Sequence, residues 1–448
     1  MNDSSRVQEP GSLGQRAIKT WGGAVFREGS IAEPSTLLQW RRFLYYRTTK
    51  LSLMLQQADQ LNNIHHLNME DQSIEDEDVY LLSIWLAYNR WHAQCANIST
   101  QMYSNLTTLN LQQCTLSHVQ CEYILRAVAG SKTLTSLNMS GNNIGGFADE
   151  DDYFVPYIQS GKELANLVGK NKSLTWLSCR YCHMGMLTLC EIAKAMKHNE
   201  SITYLNLGSN SWWWDERTDE LLSDHSFDST GIFDFAENLC KHNHTLLYTE
   251  ILSTEFQPLQ LNGKHLELVA SGEDIDKSLS FRDKRLGRID LIFIIECIKY
   301  NKYCTNLNFS GCTIEKQAAE SVASYLEKDG CLLEIIDLSH IQTREKDALR
   351  LAKAALKSPR LKLFASVPLQ RVKANEITNL MLNGAGIGPH GCIVLCDLLS
   401  RPGQTSLTRL YLAKNNIFTF GVKGFEVSFY REYYFSFGHS PNRIFYFH

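Results

Sequence analysis

An eleven-residue pattern, L-x-x-L-x-L-x-x-N/C-x-L, recurs in register along this chain and constrains its fold more than any other feature. Leu106–Leu116 reads LTTLNLQQCTL, Leu134–Ile144 LTSLNMSGNNI, Leu174–Met184 LTWLSCRYCHM and Ile202–Trp212 ITYLNLGSNSW. Further on come Cys304–Ile314 (CTNLNFSGCTI), Leu333–Thr343 (LEIIDLSHIQT), Ile377–Ile387 (ITNLMLNGAGI) and Leu407–Ile417 (LTRLYLAKNNI). Starts at 106 and 134, at 174 and 202, and at 304 and 333 lie 28, 28 and 29 residues apart. Between them stand stretches such as Cys190–Asn199 and Lys316–Lys328, whose apolar residues recur at i, i+3 and i+4. That period predicts an amphipathic helix after each strand. No single strand–helix unit can bury its own apolar face, so the units must stack and share one core.

The pattern also assigns directions. Positions 1, 4, 6 and 11 point into the core, and position 9, here Cys114, Asn142, Cys182, Asn210, Cys312 and Asn415, faces the turn backbone of neighbouring repeats. Positions 3 and 5 project to the concave face. Position 3 supplies Thr108, Ser136, Trp176, Tyr204, Asn306, Asn379 and Arg409; position 5 supplies Asn110, Asn138, Ser178, Asn206, Asn308, Asp337 and Tyr411.

On these motifs the chain resembles leucine-rich-repeat proteins of the ribonuclease-inhibitor type, a class that includes ribonuclease inhibitor, the sensor regions of NOD-like receptors and Ran GTPase-activating protein. The resemblance covers roughly residues 105–420. It implies an α/β horseshoe solenoid, with parallel strands on the concave face and helices on the convex face.

Two departures from the repeat length are insertions. The unit from 134 to 174 spans 40 residues, and its excess, near 145–161, contains FADEDDYF. After the fourth match comes the segment 211–235, SWWWDERTDELLSDHSFDSTGIFDF. Both follow a strand and fall on one rim, and both mix acids with aromatics, among them Asp151 and Asp152 in the first and Trp213, Trp214, Asp215 and Glu216 in the second. These read either as solvated loops or as a partner-binding rim, since exposed tryptophan is a common interface anchor. On the concave face, Trp176 and Tyr204 sit in adjacent repeats with Arg180 nearby, which makes them the strongest contact candidates.

Elsewhere the pattern weakens. Phe256–Leu266 and Asp276–Leu286 fit its core but lie only 20 residues apart, and Leu361–Asn375 fits poorly. Residues 1–34 are polar and read as a flexible N-terminus. Residues 35–104 read as a helical cap, with helices over Pro34–Leu67 and Val79–Ile98. Residues 105–420 form the array, and 421–448 an atypical aromatic segment: either a closing segment or the product of a truncated or wrongly spliced gene.

Catalytic and cofactor signatures are not evident. Cys179–His183 (CRYCH) matches a haem-attachment or half-zinc pattern, but the register puts Cys179 at core position 6 and Cys182 at position 9. No P-loop, nucleophile elbow or H-E-x-x-H occurs. We therefore expect no catalytic residues, no metal and no cofactor. The charge, 44 basic against 48 acidic residues, gives −4 and no pull toward nucleic acid or anionic membrane. No run has the length of a membrane span, no secretory leader is evident, and 13 cysteines lack framework spacing, which predicts reduced thiols in the cytoplasm. N-x-[ST] tripeptides read as chance in a chain rich in these residues. The expected function is a non-enzymatic protein-interaction scaffold gripping a protein partner with a basic surface. The alternative is a GTPase-activating protein resembling the Ran activator, and an immune-type or ciliary regulatory subunit is a further option. Oligomeric state is not legible.

Overall fold

A computed structural model describes residues 45, 48–61, 64–92, 106–148, 154–156, 158–210, 214–215, 220–221, 230–251, 255–256, 258–261, 277–284, 286, 288–312, 314, 316–341, 343–401, 406–417 and 444–446. In all eight template matches, positions 3 to 5 form a three-residue strand. His66–Asn68, Thr108–Asn110, Ser136–Asn138, Trp176–Ser178, Tyr204–Asn206 and Tyr248–Glu250 lie side by side in parallel, and Glu255–Phe256 closes this sheet antiparallel. A second parallel sheet runs through Ser278–Ser280, Asn306–Asn308, Ile335–Asp337 and Leu363–Phe364. A third joins Asn379–Met381, Arg409–Tyr411 and Ile444–Tyr446. Among the described residues the fold is an α/β solenoid in which most of the parallel strands lead into a helix that packs behind the sheet.

The helices follow from local chemistry. His118–Val128 opens with a capping box: Ser117 Oγ accepts the Gln120 N–H at 3.4 Å, and Gln120 Oε1 accepts the Ser117 N–H at 2.7 Å. Its buried side, Cys121, Ile124, Leu125 and Val128, recurs at helical spacing. Across the gap between the first two sheets the helical layer continues, with the rings of Phe235 and Phe293 6.0 Å apart on the helices Thr230–Lys241 and Arg288–Ile298.

Position 9 explains why the template asks for Asn or Cys. Each such side chain donates to the position-6 carbonyl of the preceding repeat: Cys114 Sγ to Met69 O at 3.0 Å, Asn142 Nδ2 to Leu111 O at 2.6 Å, and Cys182 Sγ to Met139 O at 3.3 Å. Asn210 Nδ2 reaches Cys179 O at 2.9 Å, Cys312 Sγ reaches Phe281 O at 3.1 Å, and Asn415 Nδ2 reaches Leu382 O at 2.6 Å. These turn carbonyls have no ladder N–H opposite them, and the side-chain donor ties each one to the next repeat; Met69 O, Phe281 O and Leu382 O also accept an N–H from their own turn, of Gln72, Lys284 and Ala385. Asparagine and cysteine both fit because both are small donors.

A second asparagine column stands at the helix ends. Asn171 donates to Ser131 O at 3.0 Å and accepts Leu174 N at 2.7 Å. Asn199 donates to Val168 O and Asn243 to Met196 O, at 2.6 and 3.0 Å. The hydroxyl two residues on is also used: Ser173 Oγ donates to Leu134 O at 2.9 Å and Ser201 Oγ to Asn171 O at 3.1 Å. The N-x-[ST] tripeptides at these positions therefore have a structural cause rather than chance.

Several expectations need correction. The helix expected over Pro34–Leu67 gives way to a helix Lys50–Leu61 and the strand His66–Asn68. Ile64, Leu67, Met69 and Ile74 occupy template positions of a further repeat inside the segment read as a cap, so among the described residues the strand ladder reaches back to His66. The following helix is Asp76–His92, burying Leu82, Trp85 and Leu86. Phe256–Leu266 does not continue the ladder: Glu255–Phe256 folds back antiparallel on Thr249–Glu250, and Pro258–Leu261 is a helical turn. Pro258 falls where a ladder N–H is needed and has none to give. Asp276–Leu286 does supply a strand, Ser278–Ser280. Leu361–Asn375 supplies a two-residue strand, a turn through Ala365 and Ser366 at positive φ, and a five-residue helix, Leu369–Lys373. In the aromatic C-terminal segment, Ile444–Tyr446 adds another parallel strand beside Arg409–Tyr411.

Candidate partner-binding face

Neighbouring strands in a sheet are about 4.8 Å apart, so aromatic residues at the same position of consecutive repeats must meet ring to ring. Trp176 and Tyr204 are register partners. Their rings lie parallel, with 5.3 Å between centroids and 6° between planes. Tyr248 holds the same position on the next strand, its ring 6.5 Å from that of Tyr204 and tilted by 42°. Trp176 and Tyr204 are part-buried, and Tyr248 is exposed.

A polar row runs beside this stack. Arg180 Nη2 lies 3.4 Å from Glu250 Oε1, and the Arg180 guanidinium carbon lies 4.9 Å from the centre of the exposed Tyr181 ring. Asn206 Nδ2 donates to Glu250 Oε2 at 2.8 Å. Gly208 makes room for that carboxylate, because a Cβ there would come within 2.3 Å of Glu250 Oε1. Further along, the Ser140 and Ser178 hydroxyls are 2.8 Å apart and Asn138 Nδ2 donates to Gln112 Oε1 at 2.9 Å. Position-5 side chains brace their own turns: Asn110, Asn138 and Asn206 accept the N–H two residues on. The result is an aromatic stack rimmed by interlocked amides.

The structure stacks Trp176 on Tyr204 and ties Arg180 to Glu250, which Asn206 also holds; Tyr248 and Glu250 are residues that the sequence reading missed. The missed repeat, Leu246–Ile251, carries Thr249 where its neighbours carry leucine, and that broke the pattern. Thr249 is nevertheless fully buried. Asp151, Asp152, Trp213 and Glu216 lie outside the described residues. Trp214–Asp215 pairs antiparallel with Glu220–Leu221, so the second insertion contains a hairpin. In the first insertion Gly146–Ala148 pairs with Phe154–Pro156. Gly145 ahead of it packs against the backbone at His183, where a Cβ would lie 2.0 Å from the carbonyl oxygen.

The CRYCH cysteines are core residues. Cys179 and Cys182 are fully buried, and burial pushes the Cys179 thiol well up and that of Cys182 to about 12. Among the described residues no group of three or more His, Cys, Asp or Glu side chains is placed to hold a metal ion. No helix among them is long and apolar enough to cross a membrane.

No protein-family profile matches the chain. Over 158 residues, 35% of the chain, it is 29% identical to human "NACHT, LRR and PYD domains-containing protein 14", of which it covers 12% of the length. Among solved structures, leiomodin-1 actin-binding site 2 aligns over 40% of this chain and 83% of that one, at 13% identity and a TM-score of 0.26. An internalin of Listeria monocytogenes aligns over 77% of this chain and 92% of that one, at 16% identity and a TM-score of 0.23. Global superposition at those scores carries no weight. With thirteen parallel strands among the described residues and the position-9 donors between repeats, the fold of the chain is that of a leucine-rich-repeat solenoid.

Proposed function

We propose that this protein is a non-enzymatic interaction scaffold that grips a partner protein across the concave face of its first repeats. The observation that carries the reading is the stack of Trp176, Tyr204 and Tyr248, three rings held at one position of consecutive strands. Partly exposed aromatics on a rigid sheet give large contact area at little entropic cost on binding. Repeats of 28 and 29 residues with a full helix behind each strand support the ribonuclease-inhibitor type. Cys114, Cys182 and Cys312 use their thiol hydrogens to satisfy buried carbonyls, a role only a reduced cysteine fills, which supports a reducing compartment such as the cytoplasm. The acidic–aromatic insertions that hold Asp151, Asp152, Trp213, Trp214, Asp215 and Glu216 would extend the same grip along the rim.

The test is affinity capture from native lysate, comparing the wild type with Trp176→Ala/Tyr204→Ala after circular dichroism has matched the two folds. A partner retained by the wild type and reduced at least tenfold by the double variant is the expected result. Equal capture by both would move the binding surface away from this face. If the captured protein is a small GTPase, its GTP hydrolysis with and without this chain decides between simple binding and activation of the Ran-activator kind.

A further inference from the structure

Among the described residues the aromatic stack is open at one end. Trp176 is covered by Tyr204 on one face, but its register partner on the other side is Ser136, followed by Thr108 and then His66. Hydroxyl side chains are too short to cover an indole ring, so a planar group can extend the stack there. Beyond this opening the face turns acidic. Glu70 and Asp71 are exposed, and Glu70 Oε2 accepts Asn110 Nδ2 at 3.2 Å, which holds its carboxylate on the concave side. The side chains between them are neutral: Gln112, Asn138 and Ser140. Arg180 is engaged by Glu250 and the Tyr181 ring.

Resting on the concave-face reading above, we infer that the partner presents an extended segment with an arginine, which stacks on the free face of Trp176, and a second cation about four residues away, which meets Glu70. The guanidinium is the side chain that is both planar and cationic, so it suits an open indole face beside acids. Glu70 lies three strands from Trp176, on the order of 14 Å at the usual strand spacing. An extended chain advances about 3.4 Å per residue, which sets the separation. A nucleic-acid base could also stack on Trp176, but its phosphates would face Glu70 and Asp71.

The probe is a dye-labelled Gly/Ser peptide carrying one arginine and one lysine four residues apart, titrated into the full chain by fluorescence anisotropy at low salt. Three comparison peptides set the two cations adjacent, replace the arginine with lysine, or replace both with glutamate. We expect each comparison peptide to bind at least threefold more weakly, with the glutamate peptide weakest. Trp176→Leu, which keeps an apolar side chain, should weaken the arginine peptide at least fivefold, and Glu70→Gln at least threefold. The Glu70 effect should vanish at high salt, where exposed charges are screened. Equal binding of the cationic and glutamate peptides, or an affinity unmoved by Trp176→Leu, would overturn the inference. If that occurs while Trp176→Ala/Tyr204→Ala still abolishes partner capture, the concave-face reading stands and only the arginine-bearing segment is rejected.

Discussion

Replacing Asn210 with alanine is expected to destabilise the fold by roughly 4 kcal/mol. The side chain is fully buried and meets five backbone groups, Gly208 O at 3.4 Å being the most distant. Its Nδ2 donates to Cys179 O at 2.9 Å and Leu207 O at 2.8 Å, and its Oδ1 accepts the N–H groups of Cys182 at 2.8 Å and Met184 at 3.2 Å. Alanine removes every one of these partners and leaves the backbone groups in the interior. A buried polar group without a partner costs about 1–3 kcal/mol, and the total stays below the sum because relaxation and water rescue some of them. Cys182→Ala removes one weak thiol donor to Met139 O at 3.3 Å and should cost only about 1 kcal/mol. Urea unfolding of the two variants against the wild type measures the contrast. Equal losses would mean that the position-9 side chains fill space rather than satisfy the turns.

The second large effect is the share of the pH dependence of stability that one fully buried histidine supplies. His390 is fully buried in the helix Gly388–Leu399, edge-on to the Phe364 ring with 5.7 Å between centroids. Its Nε2–H donates to Leu338 O at 3.1 Å, and its Nδ1 has no hydrogen-bond partner. Burial disfavours the charged ring and lowers its pKa from 6.5 to about 4. The unfolded chain therefore takes up a proton near pH 6.5 while the folded chain does not, and stability falls as the pH drops through that window. From pH 7.5 to pH 5 the loss should be about 2 kcal/mol, at roughly 1.4 kcal/mol per pH unit once the unfolded ring is charged. His390→Gln keeps a donor for Leu338 O and cannot titrate. Its stability should fall less over that range, the remainder coming from carboxylates and from His118 and His183, whose pKa values burial also lowers, so the difference between the two denaturation series isolates His390. Parallel slopes for wild type and variant would show that His390 is not held neutral.

Where the template's large apolar residues were intact, the sequence announced the strand to the residue, because the period of the pattern and the geometry of the stack are the same constraint. Where one anchor was replaced, the repeat went unread although the stack kept its place. Gln72 stands at position 9 of the first strand unit, and Thr249 stands at position 4, directly after Tyr248. In both cases the neighbouring strands impose the register from outside, and a pattern read along one segment cannot register that support. Phe256–Leu266 is the converse: its leucines matched, but Pro258 cannot donate in a ladder. The Trp176–Tyr204 stack was legible because adjacent strands turn equal positions into contacts. Glu250 and its tie to Arg180 were not, since they belong to the repeat that Thr249 concealed.

The most direct test of the central claim is site-directed photo-crosslinking from the concave face. A photoreactive phenylalanine analogue would replace Thr108 or Tyr248 on that face, or Leu349 on the exposed side of the helix Glu345–Lys357, each in the full chain in native lysate. Mass spectrometry would then identify the adducts. The account predicts one shared protein adduct from Thr108 and Tyr248, lost when Trp176→Ala is added, and none of that protein from Leu349. An adduct of the same partner from Leu349, with none from the two concave positions, would place the functional surface on the helical side and contradict it.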